Sequence, residues 1–136
     1  IWGIQWDETL KWLIDTGEKA YSEVASDSTS WGNYYNNSFT YYTDTSKSTE
    51  TKAVYDDETG EIPSGAYEGA NANNVYDLAG NICDWTLESN GSGNGVTRYS
   101  RGGNCSSNYP AAKRNSSYYP YFKDSRVGFR CSLFIK

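Results

Sequence analysis

The alternation of apolar and polar positions divides the chain into a helical start, a long irregular middle and a strand-forming end. Between Trp6 and Gly17, Leu10, Leu13 and Ile14 recur at the three- and four-residue spacing that places side chains on one face of a helix. Asp7 is placed to cap the free amides, Glu8 suits the positive helix end, and Gly17 suits a left-handed exit. One short helix is expected there. From Glu18 to about Gly69 the chain is rich in Ser, Thr, Asn and Tyr, with weak alternation at Ser38-Phe39-Thr40-Tyr41-Tyr42 and again near Ala53-Val54-Tyr55. That pattern predicts loop-dominated structure with one hairpin. Three later segments, Asn74 to Thr86, Val96 to Cys105 and Arg126 to Ile135, mix apolar and aromatic residues with glycines at turns. Each predicts a strand of one antiparallel sheet. Between the second and third, Asn104 to Arg126 form a polar excursion with Pro110, Ala111 and Ala112 as small apolar anchors and a further proline at 120. Long excursions of this kind are usually functional. The expected class is α+β, with one or two helices, a small antiparallel sheet and much irregular loop.

At 136 residues the chain fits a single domain, residues 1–136. It contains no Met and opens on Ile1-Trp2-Gly3, which reads as the C-terminal part of a longer protein. No run approaches the ~20 apolar residues needed to span a bilayer, so membrane insertion is not expected. His is absent, which removes the commonest general base and zinc ligand and argues against triad hydrolases and zinc enzymes. Aromatic residues make up 16% of the chain, and with Asn and Ser crowding the loops the composition suits an adaptable recognition surface.

The net charge of -5 hides an asymmetry. Arg98, Arg101, Lys113, Arg114, Lys123, Arg126 and Arg130 are accompanied only by Asp124 across residues 98–130. These cations are scattered among Tyr and Ser without Lys/Arg runs, so nucleic acid is not the expected partner. Cys83, Cys105 and Cys131 fit no metal spacing, and three thiols leave at least one unpaired. Each falls in a strand or strand end, where a free Cys behaves as a small apolar core residue.

Three strings follow in order: Asn74-Val75-Tyr76-Asp77-Leu78-Ala79-Gly80-Asn81-Ile82-Cys83-Asp84-Trp85, then Arg101-Gly102-Gly103, then Val127-Gly128-Phe129-Arg130. Physically, Gly80 and Gly128 suit turns or close backbone approach, and Gly102-Gly103 lets a strand lie against bulk. Trp85 and Phe129 read as core aromatics. Arg101 and Arg130 read as buried guanidiniums bonded to carboxylates or carbonyls. Together the strings resemble the formylglycine-generating-enzyme/sulfatase-modifying superfamily, whose motifs run NxxGLYDMxGNVWEW, RGGS and GFR, and the resemblance implies a C-type lectin-like fold. The Trp6-Asp7 start is similar to that family's VTWxxA segment.

The resemblance implies more about chemistry. Enzymes of the superfamily place a reactive Cys four residues beyond the RGG glycines and a second five later, a thiolate pair that binds copper; here those positions hold Ser107 and Ala112. Its iron-dependent relatives rely on His ligands, which this chain lacks. Catalysis is therefore not expected. A structural calcium is implied around the GNxWEW-like turn, at Asp77, Gly80, Ile82 and Asp84, with two carboxylates among hard oxygen donors. The EPN- and WND-type motifs of calcium-dependent sugar binding are absent.

A non-catalytic branch of the superfamily comprises the variable proteins of diversity-generating retroelements, in which mutagenised adenines vary codons just before the final strand. Varied AAC codons never yield Trp, Met, Gln, Glu or Lys, and Asn104 to Arg126 lacks all of these except Lys113 and Lys123. The ending Gly128-Phe129-Arg130-Cys131-Ser132-Leu133-Phe134-Ile135-Lys136 is similar to the GFRxxLFIK ending of phage and prophage proteins. The ligand-binding set expected on this basis is Asn104, Ser106, Ser107, Asn108, Tyr109, Asn115, Ser116, Tyr118, Tyr119, Tyr121, Phe122 and Lys123. Rigid aromatics ringed by small polar residues resemble a paratope. The expected partner is a protein or glycan receptor on a cell surface, met from a phage tail or a bacterial surface; self-association is expected through the missing N-terminal part. The alternative is a divergent formylglycine-generating-like enzyme or a cell-wall accessory domain.

Overall fold

The computed structural model describes residues 1–56, 60–91 and 95–132, with backbone alone at 116 and 117. Helix α1 spans Gly3–Asp15 and so begins ahead of the expected start. Gln5 closes its N-terminus by accepting the Trp2 N–H at 2.8 Å. Asp7, expected as the cap, lies inside the helix and pairs with arginines instead. The C-terminus follows expectation. Gly17 adopts φ 76° while Glu18 N–H reaches the Leu13 carbonyl and Gly17 N–H that of Ile14, both at 3.0 Å, the paired bonds of a Schellman exit.

Trp6, Leu10 and Leu13 form the buried stripe of α1, with Ile14 at its margin. They pack with Val24 of the short helix α2 (Tyr21–Ala25), Trp31, Tyr34, Ala72, Leu78, Ala79 and Ala111 into the main core. A second cluster in the irregular middle gathers Phe39, Ile62 and Ala66, with the Phe39 and Tyr67 rings stacked at 4.1 Å. The expected hairpin is present as β1 (Phe39–Tyr42) against β2 (Thr49–Lys52), which ends just before the second alternating stretch. Lys52 was invisible to the pattern. It is buried, and its ammonium donates to the carbonyls of Tyr34 at 2.8 Å and Asn37 at 3.1 Å, tying the hairpin to the core.

A small antiparallel pair, β3 (Asn71–Ala72) with β4 (Val75–Tyr76), leads into the main sheet. That sheet contains β5 (Cys83–Asn90), β6 (Thr97–Arg101), β7 (Asn115–Tyr118) and β8 (Val127–Gly128) in the order β7-β6-β5-β8. Two expectations change here. The polar excursion is not all loop, because β7 joins β6 as an antiparallel edge strand. The last strand pairs for only two residues, and parallel to β5 rather than antiparallel; Leu133 to Lys136 fall outside the described residues.

Phe129 corrects a further reading, since it is 77% exposed rather than core. Side chains alternate along an extended chain, and its neighbour Arg130 is the one that turns inward onto Asp84. Cys131 is likewise exposed, whereas Cys83 and Cys105 are buried as expected, and all three are free thiols. Gly80 adopts φ 69° where its backbone bridges Asn33, and a Cβ there would run into the Asn33 carbonyl. Only glycine fits. No helix among the described residues is long and apolar enough to cross a membrane.

Candidate functional site

Besides the β7–β6 pairing and the Cys105 N–H on the Asn81 carbonyl at 3.0 Å, the polar excursion is fastened to the core at its small apolar residues. Ala111 is fully buried, and its N–H donates to the Ser28 hydroxyl at 2.8 Å while its carbonyl accepts from the Trp6 indole at 3.0 Å. Ala112 donates its N–H to Val24 at 3.1 Å and accepts from the Arg101 guanidinium at 3.1 Å. Arg101 is itself buried and pairs with Asp7 at 2.7 Å, while Arg114 spans Asp7 and Glu88. The small anchors are therefore the hinge pin between two arms. Residues 104–109 form one arm and 113–122 the other.

The first arm is a self-bonded turn. Asn104 accepts the Ser106 N–H on its side chain at 3.1 Å, and the Ser107 hydroxyl accepts the Asn104 N–H at 2.9 Å. Asn104 and Ser107 thus shape the turn, leaving Ser106, Asn108 and Tyr109 exposed. Gly103 precedes it at φ 69°, and a Cβ would lie 2.5 Å from the Tyr109 carbonyl, so the arm can fold back only on glycine.

Between the arms lies a cavity of about 570 Å³, within the 300–1,000 Å³ range of small-molecule sites. Asn104, Ser106, Ser107, Asn108, Tyr109, Asn115 and Tyr118 from the expected set all line it. Tyr118 packs edge-on to Trp85 at 5.9 Å and face-on to Phe122 at 4.3 Å, so Phe122 buttresses the wall from outside. Tyr119 and Tyr121 stack on each other at 5.4 Å and, with Lys123, stand exposed beyond the cavity lining. Ser116 lies in β7, with its side chain outside the described residues.

Sequence reasoning missed the floor and the charges. Cys83 and Ser100 supply the floor, Tyr35 a further wall, and Lys113, Asp124 and Arg126 line the cavity as well. Tyr35 and Cys83 lie far along the chain from 104–126 and Ser100 just before it; sheet pairing brings Cys83 and Ser100 there, and loop packing brings Tyr35. Asp124 and Arg126 form a two-point ion pair at 3.1 and 3.2 Å. The Arg126 side chain holds the Asp124 carboxyl below its usual range. Burial pushes the Cys83 thiol upward, partly opposed by the nearby Ser100 hydroxyl, and burial does the same to Cys105. Neither thiol is primed as a thiolate. The Ser100 hydroxyl is 1% exposed and meets no partner at hydrogen-bonding geometry among the described residues.

With this geometry in place, comparison with known proteins is decisive for family. The family model described as sulfatase-modifying factor enzyme 1-like domain matches residues 8–133. The chain belongs to that family. No curated protein and no solved structure matches it. The helix, the short sheets and the irregular loops accord with the C-type lectin-like fold of the sulfatase-modifying family.

The family's implied calcium positions can be tested against the side chains. Asp77, Ile82 and Asp84 line one cavity of about 280 Å³, while Gly80 is outside its lining and bridges Asn33. The Asp77 carboxylate accepts from the Ser64 hydroxyl at 2.6 Å and Gly65 N–H at 3.0 Å. Asp84 is held by Arg130 at 2.7 Å, and the same guanidinium donates to the Tyr76 and Asp77 carbonyls at 3.1 and 2.9 Å. Calcium takes six to eight oxygens. Here a built-in cation already occupies the Asp84 carboxylate, while Ser64 and Gly65 occupy that of Asp77, so both acids of the implied set are already committed. In this arrangement the residues fit a guanidinium and not calcium. Burial still pushes the Asp84 carboxyl upward, with Arg130 opposing.

Proposed function

We propose that this chain is a non-enzymatic ligand-binding domain that recognises a protein or glycan on a cell surface through the arms at residues 104–126. The observation that carries the reading is the cavity itself, where seven residues of the expected set converge. Its chemistry supports recognition over turnover. The chain has no His, its two buried thiols are held in the protonated direction, and the positions matching the family's reactive cysteines hold Ser107 and Ala112. Nucleic acid is disfavoured because Arg101, Arg114, Arg126 and Arg130 each spend their charge on a neighbouring acid.

The anchor at Ala111 supports a display role, since a fixed pin lets residues on either side vary while the backbone holds its place. On this reading the gene is of the retroelement-diversified kind, and the domain works at a phage tail or a bacterial surface. A reverse-transcriptase gene beside a near-repeat of the codons for residues 104–126, differing at adenines, would bear this out; a locus lacking both reduces the domain to a fixed binder. One observation favours a divergent enzyme instead, which is that Cys83 lines the cavity. Oxygen consumption with a cysteine-containing peptide, abolished by Cys83→Ser, would establish that alternative. The direct test of recognition is capture of cell-surface protein and glycan by wild type and by Tyr109→Ala and Tyr118→Ala, with loss in both variants expected and retention in both refuting the site.

A further inference from the structure

Resting on the reading of this cavity as a recognition site, the geometry points to its occupant: we propose a sugar residue carrying an anionic substituent, such as a uronic acid, at the end of a glycan. Two independent features of the cavity lead there. The first is an excess of positive charge. Its lining contributes Lys113 and Arg126 as cations and Asp124 as the single anion, a balance of +1 in a chain whose net charge is -5. Arg126 is held by Asp124, so the available cation is Lys113, which lies 5.8 Å from the Tyr109 ring centre and has no carboxylate within ion-pair distance among the described residues. An ammonium steadied against an aromatic face and open to solvent is a receptor for one negative charge.

The second feature is the match to hydroxyl groups. Ser100 places a buried hydroxyl on the floor, unpartnered among the described residues, and leaving a buried polar group unmet carries a cost that a ligand hydroxyl can recover. Around it stand Ser106, Asn108 and the Tyr118 phenol, groups that both donate and accept. A polyol, whose every hydroxyl also donates and accepts, satisfies such a set. A bare sulfate, which only accepts, does not use the acceptors in this set. An apolar ligand would strand them. Tyr109 and Tyr118 also add aromatic surface to the lining, which suits the apolar C–H side that a pyranose ring presents beside its hydroxyls.

The test is an amide NMR titration of the whole chain with D-glucuronate, with D-glucose and sodium sulfate as comparators. Glucuronate is expected to bind saturably with shifts centred on Ser100, Asn108 and Tyr118. Glucose should bind about tenfold more weakly and sulfate without saturation. Lys113→Gln should bring glucuronate down to the affinity of glucose and leave glucose unchanged. Ser100→Ala should weaken both sugars while leaving the melting temperature equal or higher, because it removes an unsatisfied hydroxyl rather than a bond; retained affinity in this stable variant overturns the floor assignment. Equal binding of the two sugars, saturable sulfate binding at the same residues, or no cavity shift with any probe overturns the proposal. If the sugars fail while capture of a cell-surface protein remains sensitive to Tyr118→Ala, the recognition site stands and its ligand is a protein; if that sensitivity is also missing, the site itself is wrong.

Discussion

Replacing Ser28 by alanine removes a single oxygen from the point that pins the display arms to the core. That oxygen accepts the Ala111 N–H at 2.8 Å and donates to the Glu23 carbonyl at 2.6 Å. The Glu23 carbonyl keeps a second donor, the Trp31 indole at 3.2 Å, so its loss is small. The Ala111 N–H keeps nothing: the residue is fully buried, so water cannot replace the lost acceptor without opening the core. An orphaned buried donor costs about 1–3 kcal/mol, and the middle of that range, about 2 kcal/mol, is the expected loss. For a domain of this size that corresponds to a fall in melting temperature of roughly 6–10 °C. Urea unfolding measures the loss, and hydrogen exchange at the Ala111 amide locates it. A surface control, Thr45→Ala, should stay within about 0.5 kcal/mol. A Ser28→Ala loss no larger than the control, or an unchanged Ala111 exchange rate, would refute the anchoring argument.

Other expectations follow from the same contacts. Arg130→Gln leaves Asp84 buried without its cation and should cost about 3 kcal/mol at neutral pH. Because burial raises the Asp84 carboxyl, its protonated form favours folding; the deficit should shrink as pH falls through the carboxylate range and persist above it, as read from melting curves. The same variant frees oxygens for calcium, so calcium should raise its melting temperature and leave wild type unmoved; a calcium-dependent rise in wild type would overturn the guanidinium-for-cation reading. Gly103→Ala forces a Cβ at φ 69° against the Tyr109 carbonyl and should destabilise by roughly 2 kcal/mol or more, with loss of ligand capture; a neutral result in urea unfolding would contradict the tight turn. Iodoacetamide should alkylate exposed Cys131 quickly and Cys83 and Cys105 only on unfolding, followed by mass spectrometry.

The elements that were legible in the sequence are those whose signal is local. Leu10, Leu13 and the left-handed Gly17 announced α1, and the glycine-flanked strings announced β5 and β6, because spacing and turn chemistry act over a few residues. The start of α1 was misplaced since Asp7 looks like a cap in isolation but serves Arg101 and Arg114, which come together only in the fold. Strand β7 was hidden because Asn115 and the serines after it have weak strand preference and are held by pairing with β6. Phe129 read as core by its chemistry, yet the inward place was taken by Arg130. At the site, the arms were legible from Tyr, Ser and Asn density, whereas Ser100, Cys83 and Tyr35 carry no local mark and are brought there by sheet pairing and loop packing. Lys113 is one of the two lysines that varied AAC codons do not yield, and the codon pattern gives it no mark as a contact. The packing gives it an exposed position over Tyr109.

The measurement that bears most directly on the recognition claim is glycan-array and surface-protein binding by three chains compared at equal folded concentration: wild type, Tyr118→Ala, and Phe129→Ala, whose ring is equally aromatic but lies outside the cavity between the arms. The account predicts that Tyr118→Ala weakens the wild-type signal about thirtyfold, the ~2 kcal/mol of a central aromatic contact, and that Phe129→Ala leaves it intact. Binding that survives Tyr118→Ala and is lost in Phe129→Ala would place recognition on another face and contradict it.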